Sequence, residues 1–77
     1  ARQGVELEGI IVDTLRGGQF KVLVQQGQIE IEAICTISGK MKTRAPNLRV
    51  LLGDKVRVLL DEQTMKIGRI EWVLRPR

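Results

Sequence analysis

Three stretches of the chain alternate apolar and polar residues with a period of two, and that spacing belongs to strands rather than helices. GQFKVLVQQG places Phe20, Val22 and Val24 on one face and Lys21, Leu23 and Gln25 on the other. KVRVLL sets Val56, Val58 and Leu60 against Lys55, Arg57 and Leu59. GRIEWVL sets Ile70, Trp72 and Leu74 against Arg69, Glu71 and Val73. QIEIEAI opposes Ile29 and Ile31 to Glu30 and Glu32, and the β-branched run Ile10, Ile11, Val12 adds a strand near the start.

Turn residues separate these runs. Arg16-Gly17-Gly18-Gln19 joins the first strand to the second, and Gln26-Gly27 joins the second to the third, where glycine can take φ > 0. Gly53-Asp54 precedes the fourth strand and Asp61 to Met65 the fifth. Pro46 bars a regular central strand at 44–47. The longest connection, about 37–52, lies between strands three and four, and Ser38 is placed to cap one short helical turn there. Five short strands must bury one face and manage two edges, and closure into a barrel does both. The expected fold is all-β: a five-stranded antiparallel Greek-key OB-fold barrel with a short helical turn between strands three and four. Phe20, Val22, Val56, Val58 and Ile70 are its expected interior, and Trp72, alternating with Ile70, reads as core as well.

With 77 residues the chain is one small domain, near the lower limit for a core without staples. Cys35 is the single cysteine, so no disulfide can form within the chain. There is no histidine, which leaves no set of soft zinc ligands and nothing to activate a thiol or a serine. Cys35, set among Ile34, Thr36 and Ile37, reads as a small buried hydrophobe. The Ser38-Gly39-Lys40 run falls short of a phosphate-binding loop, because Ile34 and Met41 stand where a glycine and a hydroxyl are required. Glu30 and Glu32 share one strand face and read as solvated. These absences argue against an enzyme, a metal site and a cofactor. No apolar run approaches the roughly 20 residues needed to span a bilayer, and no signal peptide is visible; a lone thiol suits the reducing cytoplasm. Ala1 in place of Met implies a processed or trimmed start.

Charge is unevenly spread. Residues 1–32 carry three cations and five acids, whereas residues 33–77 carry ten cations and four acids. From Ala33 to Gly53 there is no acid at all, and SGKMKTRAPNLRV concentrates Lys40, Lys42, Arg44 and Arg49 there. Gathered cations repel one another, so an anionic partner is the economical explanation, and nucleic-acid phosphates fit Lys as a mobile charge and Arg as a fork. Lys55 and Arg57 lie opposite the inward valines, and Lys66, Arg69, Arg75 and Arg77 add charge toward the C-terminus. Only Phe20 and Trp72 are aromatic, too few for a reader of single strands by stacking, so recognition of a folded RNA through phosphates and shape suits the composition better.

EGIIVDTLRGGQFKVLVQQG, ISGKM, LRVLLGDKVRV and GRIEW occur in an order that resembles the bacterial and plastid translation initiation factor one family, over about Leu7 to Arg75. The resemblance implies an OB barrel that binds the small ribosomal subunit at the aminoacyl-tRNA site, monomeric when free. Its partners would be small-subunit ribosomal RNA, a neighbouring ribosomal protein and other initiation factors, in the cytoplasm or a plastid. It also implies RNA contacts from Lys40, Met41, Lys42 and Arg44 after Gly39, from Arg49 before the Gly53-Asp54 turn, and from Arg69. Lys55, Arg57 and Lys66 join them as outward cations. Thr36, Leu48 and Glu62 to Met65 stand where the family carries His or Tyr, Tyr or Phe, and Tyr-Asp. Two other readings stay open: a general RNA chaperone or antiterminator of OB fold, and a protein-interaction barrel with an incidental basic loop.

Overall fold

The computed structural model describes residues 4–44 and 49–74, with the backbone alone at Lys40 and Arg44. It contains β1 (Gly4–Leu15), β2 (Gln19–Gln26), β3 (Ile29–Ile37), a short helix α1 (Gly39–Arg44), β4 (Lys55–Asp61) and β5 (Ile67–Val73). The expectations attached to Pro46, Leu48, Arg75 and Arg77 lie outside the described residues.

The strands form one sheet closed on itself in the order β1-β2-β3-β5-β4. Closure depends on β1, whose 12 residues serve two partners. Gly4 to Ile10 pair with β4, and Gly9 to Leu15 pair with β2. At Gly9, where the two pairings overlap, a Cβ would stand 2.6 Å from Val22 Cγ1 and 2.8 Å from the Leu23 carbonyl oxygen. Only a residue without a side chain lets the strands approach so closely. β1–β2, β2–β3, β1–β4 and β4–β5 run antiparallel, but β3 and β5 pair in parallel from Ile34↔Ile67 to Ile37↔Ile70. The expectation of antiparallel pairing throughout is therefore corrected at one seam. That pairing is possible because the β3–β4 connection and β4 itself intervene between the two strands, so β5 returns in the direction of β3.

The glycine turns form as their chemistry requires, with φ of 75° and 74° at Gly17 and Gly18, 64° at Gly27 and 86° at Gly53. Ser38 caps α1: its Oγ accepts the Met41 N–H at 3.1 Å, and its carbonyl accepts the Lys42 N–H at 3.1 Å.

The core holds Ile11, Val22, Val24, Ala33, Cys35, Met41, Val56, Val58, Leu60 and Ile70, each at most 1 % exposed. Phe20 is half-buried and packs against this cluster. Trp72 is not core: it is 40 % exposed. The reason is a β-bulge. Arg57 pairs with Trp72 but Val58 pairs with Ile70, so Glu71 is the extra residue. An extra residue shifts the alternation by one, which turns Trp72 outward and Val73, read as outward from period two, inward at 6 % exposure.

Val58→Ala is expected to lower stability by about 1–3 kcal/mol through lost apolar burial plus the cavity left behind. An unchanged denaturant midpoint would contradict the inward placement of Val58.

Cys35 is buried, and desolvation pushes its thiol from 9.0 up to about 11. Between those values the unfolded chain sheds the proton while the folded chain keeps it. Cys35 therefore contributes stability that is complete below pH 9 and declines as pH rises toward 11. The difference in unfolding free energy between wild type and Cys35→Ala, followed across this window, should shrink as pH rises; a flat difference would mean that the thiol is not desolvated.

Candidate nucleic-acid interface

α1 brings two things to one end of the closed sheet. Its apolar residue, Met41, inserts into the core at 1 % exposure. Its backbone carries Lys40, Lys42 and Arg44 around the same short helix, and Lys42 is exposed. Met41, placed among the RNA contacts by family resemblance, is a packing residue here, because a six-residue helix over an open end of the sheet needs an apolar anchor. α1 packs against β5, and the Ser38 N–H that precedes it donates to the Ile70 carbonyl at 3.0 Å. The basic helix thereby starts beside Ile70 of β5.

Of the strands, β5 contacts this helix, and β4 pairs with β5 from Val56↔Val73 to Leu60↔Gly68. In register, Arg57 faces Trp72 and Leu59 faces Arg69, and these two outward rows are roughly 7 Å apart along the strands. Arg57 and Arg69 are exposed. None of Lys42, Arg57 and Arg69 forms an ion pair among the described residues. Lys55 lies on the same strand, exposed, with its Nζ 3.5 Å from Glu8 Oε1. That pair sits in water and contributes little to stability, so Lys55 can exchange Glu8 for a phosphate at small cost.

Two of the sequence candidates lie at other points of the fold. Lys66 is exposed but precedes β5, where its carbonyl accepts the Ile34 N–H at 2.8 Å; that point is roughly 13 Å along the strand from Ile70. Arg49 is exposed beside the 50–54 turn, which is tied to β1 by Gly53 N–H to the Ile11 carbonyl at 2.8 Å and Ile11 N–H to the Asp54 carbonyl at 3.0 Å. The residue that sequence reasoning missed is Trp72. The adjacency of Glu71 to an otherwise regular alternation carries no mark of a bulge, so nothing local signalled its exposure.

Arg69 also borders a surface cleft of about 370 Å³ between β3, β4 and β5, shared with Thr36, Leu59, Asp61 and Ile67. Its acid is engaged in the β4–β5 turn, where Asp61 Oδ2 accepts the Thr64 hydroxyl at 3.3 Å and Asp61 Oδ1 the Gln63 N–H at 3.4 Å. Among the described residues no group of three or more His, Cys, Asp or Glu is placed to hold a metal ion, and no helix is long and apolar enough to cross a membrane.

No family model matches the chain. Among the solved structures that resemble it, two align with nearly its whole length. YjeQ from Thermotoga maritima is 25% identical with a TM-score of 0.69, over 95% of this chain. That match spans 24% of YjeQ, so the chain corresponds to about a quarter of that protein's length. Translation initiation factor one from the Wolbachia endosymbiont strain TRS of Brugia malayi is 31% identical with a TM-score of 0.67, over 94% of this chain and 79% of the other. Identity at that level, carried across nearly all of this chain and most of the other, places this chain in the translation initiation factor one family.

Proposed function

We propose that the protein is an initiation factor that binds the small ribosomal subunit at the aminoacyl-tRNA site and assists assembly of the initiation complex. In this reading the closed sheet is a single Greek-key OB barrel, monomeric when free and cytoplasmic. It contacts ribosomal RNA and a neighbouring ribosomal protein, alongside other initiation factors, and acts by binding rather than by catalysis, without a cofactor. The observation that supports it most directly is the set of exposed cations Lys42, Arg57 and Arg69, which form no ion pair among the described residues, on α1, on β5 that α1 contacts and on β4 that pairs with β5, in a chain of this family. Solvated cations held by a rigid scaffold meet phosphates without first breaking protein contacts.

The test is chemical footprinting of small subunits with and without the protein. Protection confined to the aminoacyl-tRNA site is expected, weakening steeply as salt rises. If unstructured RNA displaces the protein from subunits as well as it binds them, the protein is a general RNA binder instead.

A further inference from the structure

The bulge at Glu71 leaves the chain's single tryptophan on the outer surface, 40 % exposed, directly across the β4–β5 register from Arg57. Exposing an indole is unfavourable unless something covers it. Arg57 is exposed and Arg69 lies on the next outward row; neither forms an ion pair among the described residues. The nearest acid across the β1–β4 register, Glu8, is engaged by Lys55 at 3.5 Å. Glu71, adjacent to Trp72, is half-buried. The basic helix α1 packs on the same strand.

We propose that Trp72 and Arg57 form a stacking platform for one unpaired RNA base, whose flanking phosphates meet Arg69 and the cations of α1. The proposal rests on the RNA-binding reading above and adds to it a base contact. An aromatic face takes any base, because every base offers a π-face, and a guanidinium beside it either stacks in turn or forks onto the phosphate. Cations around the indole favour such a polyanion over the apolar surface of a protein, which would have to desolvate them. Phosphate contacts alone hold a folded RNA in register; one splayed base on the indole adds an energy that salt does not screen.

Trp72, as the only tryptophan, reports on itself. Its fluorescence is expected to be quenched, saturably, by a short oligoadenylate RNA and not by inorganic polyphosphate, which supplies the charge without a base. The Lys40, Lys42, Arg44 to Gln variant should need a higher RNA concentration for the same quenching. On small subunits, Trp72→Ala should weaken binding roughly 5- to 150-fold with an unchanged salt slope, and Trp72→Phe should retain most of the affinity. The platform is overturned if polyphosphate quenches as well as RNA does, if RNA does not quench, or if Trp72→Ala binds subunits as wild type does. It is also overturned if a photo-crosslinker at position 72 joins ribosomal protein rather than RNA. Loss of the initiation-factor reading looks different: wild type then leaves no footprint on subunits, while quenching by oligoadenylate still decides the platform without any variant having to fold.

Discussion

Replacing Lys40, Lys42 and Arg44 together with Gln is expected to weaken binding to small ribosomal subunits on the order of 10- to 100-fold at low salt, while the protein stays folded. Each cation that meets a phosphate adds a charge-assisted contact and releases counterions from the RNA. The slope of log affinity against log salt should accordingly fall by roughly two or three. Stability should hold level or rise slightly. The core contact of α1 is Met41, which the variant keeps, and the first turn of the helix contains no acid to offset its positive charge. Filter binding across a salt series, paired with thermal unfolding, reads both effects. Val58→Ala should give the converse result, with lowered stability and near-normal binding by the folded fraction. If the triple variant unfolds, the helix cations are structural; if it binds with an unchanged slope, they are a solvated surface that the subunit does not touch.

Gly68→Val is expected to be the most destabilising single substitution considered, at about 3 kcal/mol or more, with failure to accumulate as folded protein a permissible outcome. A Cβ at position 68 would lie 2.5 Å from the Leu59 carbonyl oxygen, 2.7 Å from Leu60 Cδ2 and 3.1 Å from Leu60 Cα. Two of those three atoms are backbone of the paired strand, so no rotamer change relieves the clash and β4 itself must move. Cys35↔Gly68 on one side and Leu60↔Gly68 on the other show why that is costly: β5 bridges β3 and β4, and displacing it opens the sheet. Gly39→Ala is the control, since nothing lies within 4 Å of a Cβ there. In α1 it should be neutral or mildly stabilising, by reduced freedom of the unfolded chain. Equal effects of the two substitutions in a denaturant titration would show that close approach at Gly68 is not what holds β4 and β5 together.

Much of the fold could be read from local pattern. The inward set Val22, Val56, Val58 and Ile70 follows from period two, and each of these residues is fully buried. The turns at Gly17-Gly18 and Gly27 follow from the need for φ > 0, and the Ser38 cap from the orphan N–H groups of a helix start. The outward places of Lys55, Arg57 and Arg69 follow from the same alternation. The exposure of Trp72 did not, although GRIEWVL alternates as cleanly as KVRVLL. A bulge depends on the strand opposite: the register slips only because β4 meets β5 as Arg57↔Trp72 and then Val58↔Ile70.

The residues alone determined that the chain makes strands, where it turns, which face goes inside and that its second half is basic. Those properties are set by steric freedom, side-chain period and charge within a few neighbours. The folded molecule decided that β3 and β5 run parallel, that Met41 is buried in the core, that Lys66 stands just before the start of β5, and that Trp72 turns outward beside Arg57. Each of these follows from closure, in which strands distant in sequence must meet at a fixed spacing. The registers that satisfy closure are properties of pairs of strands rather than of either strand.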